Sequence, residues 1–140
     1  MAKILFVDDE NHRAQPYLDE LKLAGYDAVL TTETDEALAY VQQNPDINVL
    51  ILDIMMPAGV KFAARTDQGL DTGVILYDEI RKIAPDLPVI VLTNVSDRDV
   101  AQKFRNESNC WYYPKINLLA VELPDEVKEI LEESLRQHQD

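Results

Sequence analysis

Carboxylates, a hydroxyl and an amine stand just past the ends of short apolar runs in this chain. Ile4 to Val7 is followed by Asp8, Asp9 and Glu10, and Val49 to Leu52 by Asp53. Val89 to Leu92 is followed by Thr93, and Cys110 to Tyr113 leads to Lys115 two residues on. Asp53 sits inside VLILDIMMP, where a lone buried carboxylate is costly unless it is paired or binds a cation. If these runs are parallel strands, their carboxyl ends line a single crevice. Two carboxylates about 4 Å apart repel by roughly 4 kcal/mol at an effective dielectric of 20. Several such pairs rival the stability of a whole domain, so the cluster demands neutralisation. A divalent cation together with Lys115 supplies it. Oxygen donors of this kind suit Mg²⁺, which keeps several waters and bridges to phosphate oxygens. With such a cation bound, Asp53 keeps an oxygen free to attack phosphorus. The cation and Lys115 then stabilise phosphoryl oxygens, and Thr93 is able to donate to one of them.

The elements that must hold these residues follow from apolar patterning. The four runs are continuous rather than alternating, as in strands covered on both faces of a parallel sheet. A weaker run, Ala28 to Thr31, follows Gly25. Helical spacing appears between them: Tyr17, Leu18, Leu21; then Ala37, Leu38, Val41; then Val74, Leu76, Tyr77, Ile80, Ile83. Gly25 and Pro45 mark helix ends, and a faint helix lies near Val100 to Phe104. A last helix starts at Pro124, with Asp125 and Glu126 in its first turn and Val127, Ile130, Leu131 and Leu135 on one face. Alternating strands and helices predict a doubly wound α/β fold with a five-stranded parallel sheet and five helices. The 140 residues fit one domain, 1–140, with no internal repeat or linker.

Composition narrows the classes further. Lys and Arg total 13 against 26 Asp and Glu, a net charge of -13, so direct nucleic-acid binding is not expected. No apolar run is long enough for membrane insertion, and MAKILFVDDE lacks the features of a signal peptide. The expected location is the cytoplasm, which also suits the single Cys110. His12 reads as an exposed helix residue and His138 as part of a frayed tail.

FVDDE, LILDIMMP, PVIVLTN and the lysine after a hydrophobic fifth strand, in this order and spacing, resemble the response-regulator receiver domain of two-component signalling. The resemblance covers roughly residues 2 to 115. It implies the flavodoxin-like strand order 2-1-3-4-5. It further implies that Asp53 accepts a phosphoryl group from a phosphohistidine on a sensor histidine kinase or histidine phosphotransfer protein. Mg²⁺ would be held by Asp9, Asp53 and the Met55 carbonyl, with Asp8 acting through water. Thr93 and Tyr112 would form the switch: Thr93 moves toward the phosphoryl group while Tyr112 changes rotamer and remodels the face of the fourth helix, fifth strand and fifth helix. Such a domain catalyses its own phosphorylation and dephosphorylation without being a stand-alone enzyme. With nothing after the fifth helix, the expected output is contact with a downstream protein target or a phosphorelay step.

The chain departs from the family pattern in four places. The glycine expected four residues after the proline is matched by Gly73, sixteen after Pro57, so about twelve residues are inserted within the stretch 58–73. Segments of that size are often functional, and Val60 to Asp71 is a candidate cover or partner surface; a tolerated surface insertion is the alternative. Asn94 follows Thr93 where Ala or Gly is usual, which would narrow access for the phosphodonor. Ile116 follows Lys115 where the family has a proline, often after a cis bond, so a trans bond is expected here. The late final helix leaves Ile116 to Leu123 as an apolar connection. Met55 and Val95, two residues beyond Asp53 and Thr93, cannot orient an attacking water, which predicts slow self-dephosphorylation.

Other readings are weaker. A phosphatase of the haloacid dehalogenase type needs a second aspartate two residues after its nucleophile, where this chain has Met55 or Glu10. No GxxxxGK[ST] loop is present. The remaining alternative is a receiver-like interaction module that is not phosphorylated; it leaves Asp8, Asp9, Asp53, Thr93 and Lys115 together without a purpose.

Overall fold

The computed structural model describes residues 2–54, 72–93 and 98–138. The elements run β1 (Lys3–Val7), α1 (Asn11–Leu23), β2 (Asp27–Thr31), α2 (Thr34–Gln43), β3 (Val49–Leu52), α3 (Thr72–Ile83), β4 (Val89–Thr93), α4 (Arg98–Arg105), β5 (Cys110–Pro114) and α5 (Leu123–His138), with two 3₁₀ turns, Lys115–Asn117 and Ala120–Glu122, before α5. All pairings are parallel and the strand order is 2-1-3-4-5. The chain therefore has the doubly wound, flavodoxin-like fold expected from its alternating pattern.

Alternation along the central strands sorts their side chains onto two covered faces. Leu5, Val7, Leu50, Leu52, Val89 and Val91 pack with α2, α3 and Phe104 of α4. Ile4, Phe6, Val49, Ile51, Ile90 and Leu92 pack with α1 and α5. Every residue of β3 and β4 is buried, which explains why those runs carry no polar alternation. The expectation of full cover fails for β5, whose five residues are all half-buried. It lies at the sheet edge, where only one neighbour strand protects it.

Local signals set the boundaries. α1 ends in a Schellman motif: Gly25, at φ +95°, donates to the Lys22 carbonyl, and Tyr26 donates to the Leu21 carbonyl. Pro16 lies inside α1, where it removes one helical hydrogen bond; the apolar spacing around it still produces a helix because Ala14, Leu18 and Leu21 are buried on one face. α5 begins at Leu123, one residue before the expected start, and the connection ahead of it is wound into the 3₁₀ turns. There are no cis peptide bonds among the described residues, so Lys115–Ile116 is trans as expected.

Two contacts fix the frame around the site. Gly73, the second residue of α3, lies against the end of β3, and its N–H donates to the Ile54 carbonyl at 2.9 Å. A Cβ at position 73 would lie 2.2 Å from Ile54 Cα, so only glycine fits. This gives a physical reason for matching Gly73 to the family glycine despite the longer path to it. On the far side, Arg81 of α3 donates to the Leu87 carbonyl in the loop before β4 and to the Ser108 and Asn109 carbonyls before β5. It thus ties the starts of both strands to one helix.

Candidate phosphoacceptor site

Where β1 and β3 run out, the backbone aims carboxylates into a shared crevice. The Asp8 N–H donates to the Thr31 carbonyl and the Asp53 N–H to the Val7 carbonyl, so both residues are still held by the ladder although they lie just past their strands. Asp8 and Thr93 are fully buried and Asp53 is only 6% exposed. One ligand oxygen from each of Asp8, Asp9 and Asp53 can be chosen so that all lie within 4.8 Å of one another. Asp53 thus leaves the apolar run at its strand end and meets partners there.

Those partners divide its two oxygens. Thr93 Oγ1 donates to Asp53 Oδ1 at 2.9 Å. Lys115 Nζ donates to Asp53 Oδ2 at 3.3 Å and to Asp8 Oδ2 at 2.9 Å. The other Asp8 oxygen accepts the Glu10 N–H at 2.9 Å. Both Asp8 oxygens are thus already engaged by protein donors.

Charge is out of balance in this crevice. Burial, then the charges of Asp8 and Asp53, push the Asp9 carboxyl above its ordinary range. Burial alone would lower the Lys115 pKa, but the charge of Asp53 and the hydrogen bond and charge of Asp8 outweigh it, and the net direction is up. One ammonium faces three carboxylates. Asp9 Oδ1 is buried with no hydrogen-bond partner among the described residues. An orphaned carboxylate oxygen beside two further carboxylates is the donor set that a hard cation such as Mg²⁺ requires. The residues present fit that ion.

Tyr112 is half-buried on β5, packs against the α2–α3–α4 side of the core, and lies under the Arg105 guanidinium, 5.4 Å from its ring centre. His12 is exposed in α1, as expected. Met55, Asn94, Val95 and Val60 to Asp71 fall outside the described residues.

Sequence reasoning missed Tyr17. Its hydroxyl donates to the Leu118 carbonyl at 3.0 Å, joining α1 to the segment after Lys115. Burial, the largest influence on its pKa, raises it; the charge of Lys115 lowers it and that of Asp8 raises it, for a net rise. In the sequence Tyr17 looks like any apolar-face aromatic, and nothing local signals a partner 101 residues away.

A parallel, doubly wound sheet with acids past the ends of β1 and β3, a threonine ending β4 and a lysine after β5 is the arrangement expected of a receiver domain. The comparisons agree. Residues 4–109 match the response regulator receiver domain family, and the chain belongs to that family. It is 34% identical over 91 residues to the transcriptional regulatory protein BaeR of Escherichia coli, a match that covers 65% of this chain and 32% of BaeR. The chain therefore spans about a third of the length of the curated relatives it matches. Its fold superimposes on a CheY-like receiver domain protein from Methanospirillum hungatei with a TM-score of 0.77 and 22% identity, covering 98% of each chain. A two-component transcriptional regulator AraC from Clostridium phytofermentans aligns with a TM-score of 0.70 and 26% identity, over 99% of this chain and 98% of that one.

Proposed function

We propose that the chain is a phosphoacceptor switch in which Asp53 takes a phosphoryl group from a phosphohistidine of a sensor histidine kinase or histidine phosphotransfer protein, in a Mg²⁺-dependent step. An Asp53 oxygen forms the new P–O bond as the P–N bond breaks, and the departing imidazole nitrogen keeps the electron pair. The observation that carries this reading is the gathering of Asp8, Asp9 and Asp53 oxygens within 4.8 Å beside the Lys115 ammonium.

Asp9, Asp53 and the Met55 carbonyl would hold the cation directly. Asp8, with both oxygens already taken by Glu10 and Lys115, would reach it through water. When bound, the cation polarises the phosphoryl oxygens and offsets the charge of the acids. Lys115 holds its positive charge at neutral pH and donates to a phosphoryl oxygen. Thr93 turns its hydroxyl from Asp53 toward the phosphoryl group. Tyr112, freed to follow, leaves the Arg105 contact and alters the α4–β5–α5 face that a downstream protein target reads. The apolar Met55 and Val95 leave attacking water unoriented, which slows dephosphorylation. Residues 1–140 act as one receiver unit in the cytoplasm.

Incubation with Mg²⁺ and acetyl phosphate, followed by intact mass measurement, tests this. The expected result is one phosphoryl group on the wild type and none on Asp53→Asn. Equal labelling of Asp53→Asn would overturn the assignment of the acceptor.

A further inference from the structure

Lys115 leaves the sheet at a point where little holds it. Pro114, the last residue of β5, has no N–H to give to the ladder, and β5 is an edge strand. Ile116, the next residue along, is 86% exposed and anchors nothing. The 3₁₀ turn is closed by the Leu118 N–H to the Lys115 carbonyl at 3.3 Å, long for such a bond. Yet Lys115 Nζ must meet carboxylates that follow two different strands.

The missing anchor comes from α1. Tyr17 packs its ring beside Phe6, with centroids 6.0 Å apart, and its hydroxyl donates to the Leu118 carbonyl at 3.0 Å. The Leu118 side chain, 3% exposed, is buried in the core with Leu18 and Leu21 of the same helix. Leu118 is thus held at its carbonyl by Tyr17 of α1 and at its side chain by the core cluster to which α1 and α5 contribute. Helix α1 begins two residues after Asp9, so one rigid element registers the acids against the turn that carries their counter-charge.

We propose that Tyr17 is a positioning residue: through Leu118 its hydroxyl sets the 115–118 turn so that Lys115 Nζ stays between Asp8 and Asp53 and is aligned for phosphoryl transfer. The role in transfer rests on the phosphoacceptor function above; the placing of Lys115 does not.

Tyr17→Phe keeps the ring and removes only the donor, and two measurements read its effect. The first is solvent exchange of the Lys115 Nζ protons, followed by ¹⁵N NMR without phosphodonor and assigned with Lys115→Arg. The second is the phosphorylation rate at saturating acetyl phosphate, with Mg²⁺ affinity measured by calorimetry alongside. Loss of one hydrogen bond predicts about five-fold faster Lys115 exchange and about five-fold slower transfer. Mg²⁺ affinity should hold or rise, because a loosened Lys115 competes less for the Asp8 and Asp53 oxygens. Lys115 exchange equal to wild type overturns the proposal. So does faster exchange with an unaltered transfer rate, or a rate that falls only in step with Mg²⁺ affinity. If the wild type itself takes no phosphoryl group, the phosphoacceptor function fails, and Lys115 exchange alone decides whether Tyr17 positions that lysine.

Discussion

The two banks of the crevice are built differently. Asp8 and Asp53 extend from β1 and β3, strands with neighbours on both sides and helices on both faces, and their own N–H groups remain in the ladder. Lys115 stands beyond β5, a half-buried edge strand ending in proline, on a single 3₁₀ turn held from α1. The acids are thus fixed by central strands, whereas the balancing ammonium is delivered by a turn beyond the sheet edge. Repulsion among rigid acids cannot relax by moving them apart, so neutralisation depends on what Lys115 and a bound cation supply.

The largest effect should come from removing the delivered charge. Lys115→Ala leaves Asp8 and Asp53 without their ion pair and is expected to destabilise the metal-free protein by about 3 kcal/mol in urea unfolding. Mg²⁺ should restore a large part of that loss, and a variant equally unstable with and without Mg²⁺ would show that the ion pair does not serve to balance the acids. The linked pH effect has a definite sign. Because the folded-state pKa of Lys115 is raised, its stabilisation is complete below the unfolded value near 10.4 and is lost as pH rises through the folded one.

A smaller loss should follow from disturbing the rigid bank. Gly73→Ala places a methyl group 2.2 Å from Ile54 Cα, a backbone atom that cannot swing away. The expected cost is about 2 kcal/mol, with weakened Mg²⁺ affinity as the end of β3 shifts. Unchanged melting and Mg²⁺ binding would mean that this end of the sheet is more pliant than the hydrogen bond at Ile54 implies.

The smallest effect has the opposite direction. Asp9 is held above its ordinary range by burial and by its acidic neighbours, so its ionisation opposes folding. That penalty is absent below the unfolded pKa near 3.9 and grows as pH rises through the folded value. Asp9→Asn should therefore stabilise the metal-free protein at neutral pH by about 1 kcal/mol after solvent screening, while reducing Mg²⁺ affinity. Calorimetric melting with and without Mg²⁺ measures both, and a destabilised metal-free variant would contradict the charge imbalance.

Much of the frame was legible because continuous burial writes itself into continuous apolar runs. Val49 to Leu52 was read as a strand with the bounds β3 has, and Ile4 to Val7, Val89 to Leu92 and Cys110 to Tyr113 each fall one residue short of their strands. The meeting of Asp8, Asp53, Thr93 and Lys115 was legible because strand ends in a parallel sheet share one rim. What escaped was set by three-dimensional neighbours. The half-exposure of β5 follows from its place at the edge, which its apolar composition does not reveal. The hydrogen bond from Tyr17 to Leu118 joins distant segments through a hydroxyl that has no periodic signature. The start of α5 was misread by one residue because Pro124 is so strong a first-turn signal.

The hydrogen bond between Gly73 and Ile54 has a consequence for how this chain can be rebuilt. Ile54 and Gly73 meet at one point, so a connection of any sufficient length can join them without moving β3 or α3. Closing a flexible segment about three times as long adds only about 1 kcal/mol of chain entropy. The junction of Ile54 and Gly73 is thus a point at which added sequence costs little chain entropy.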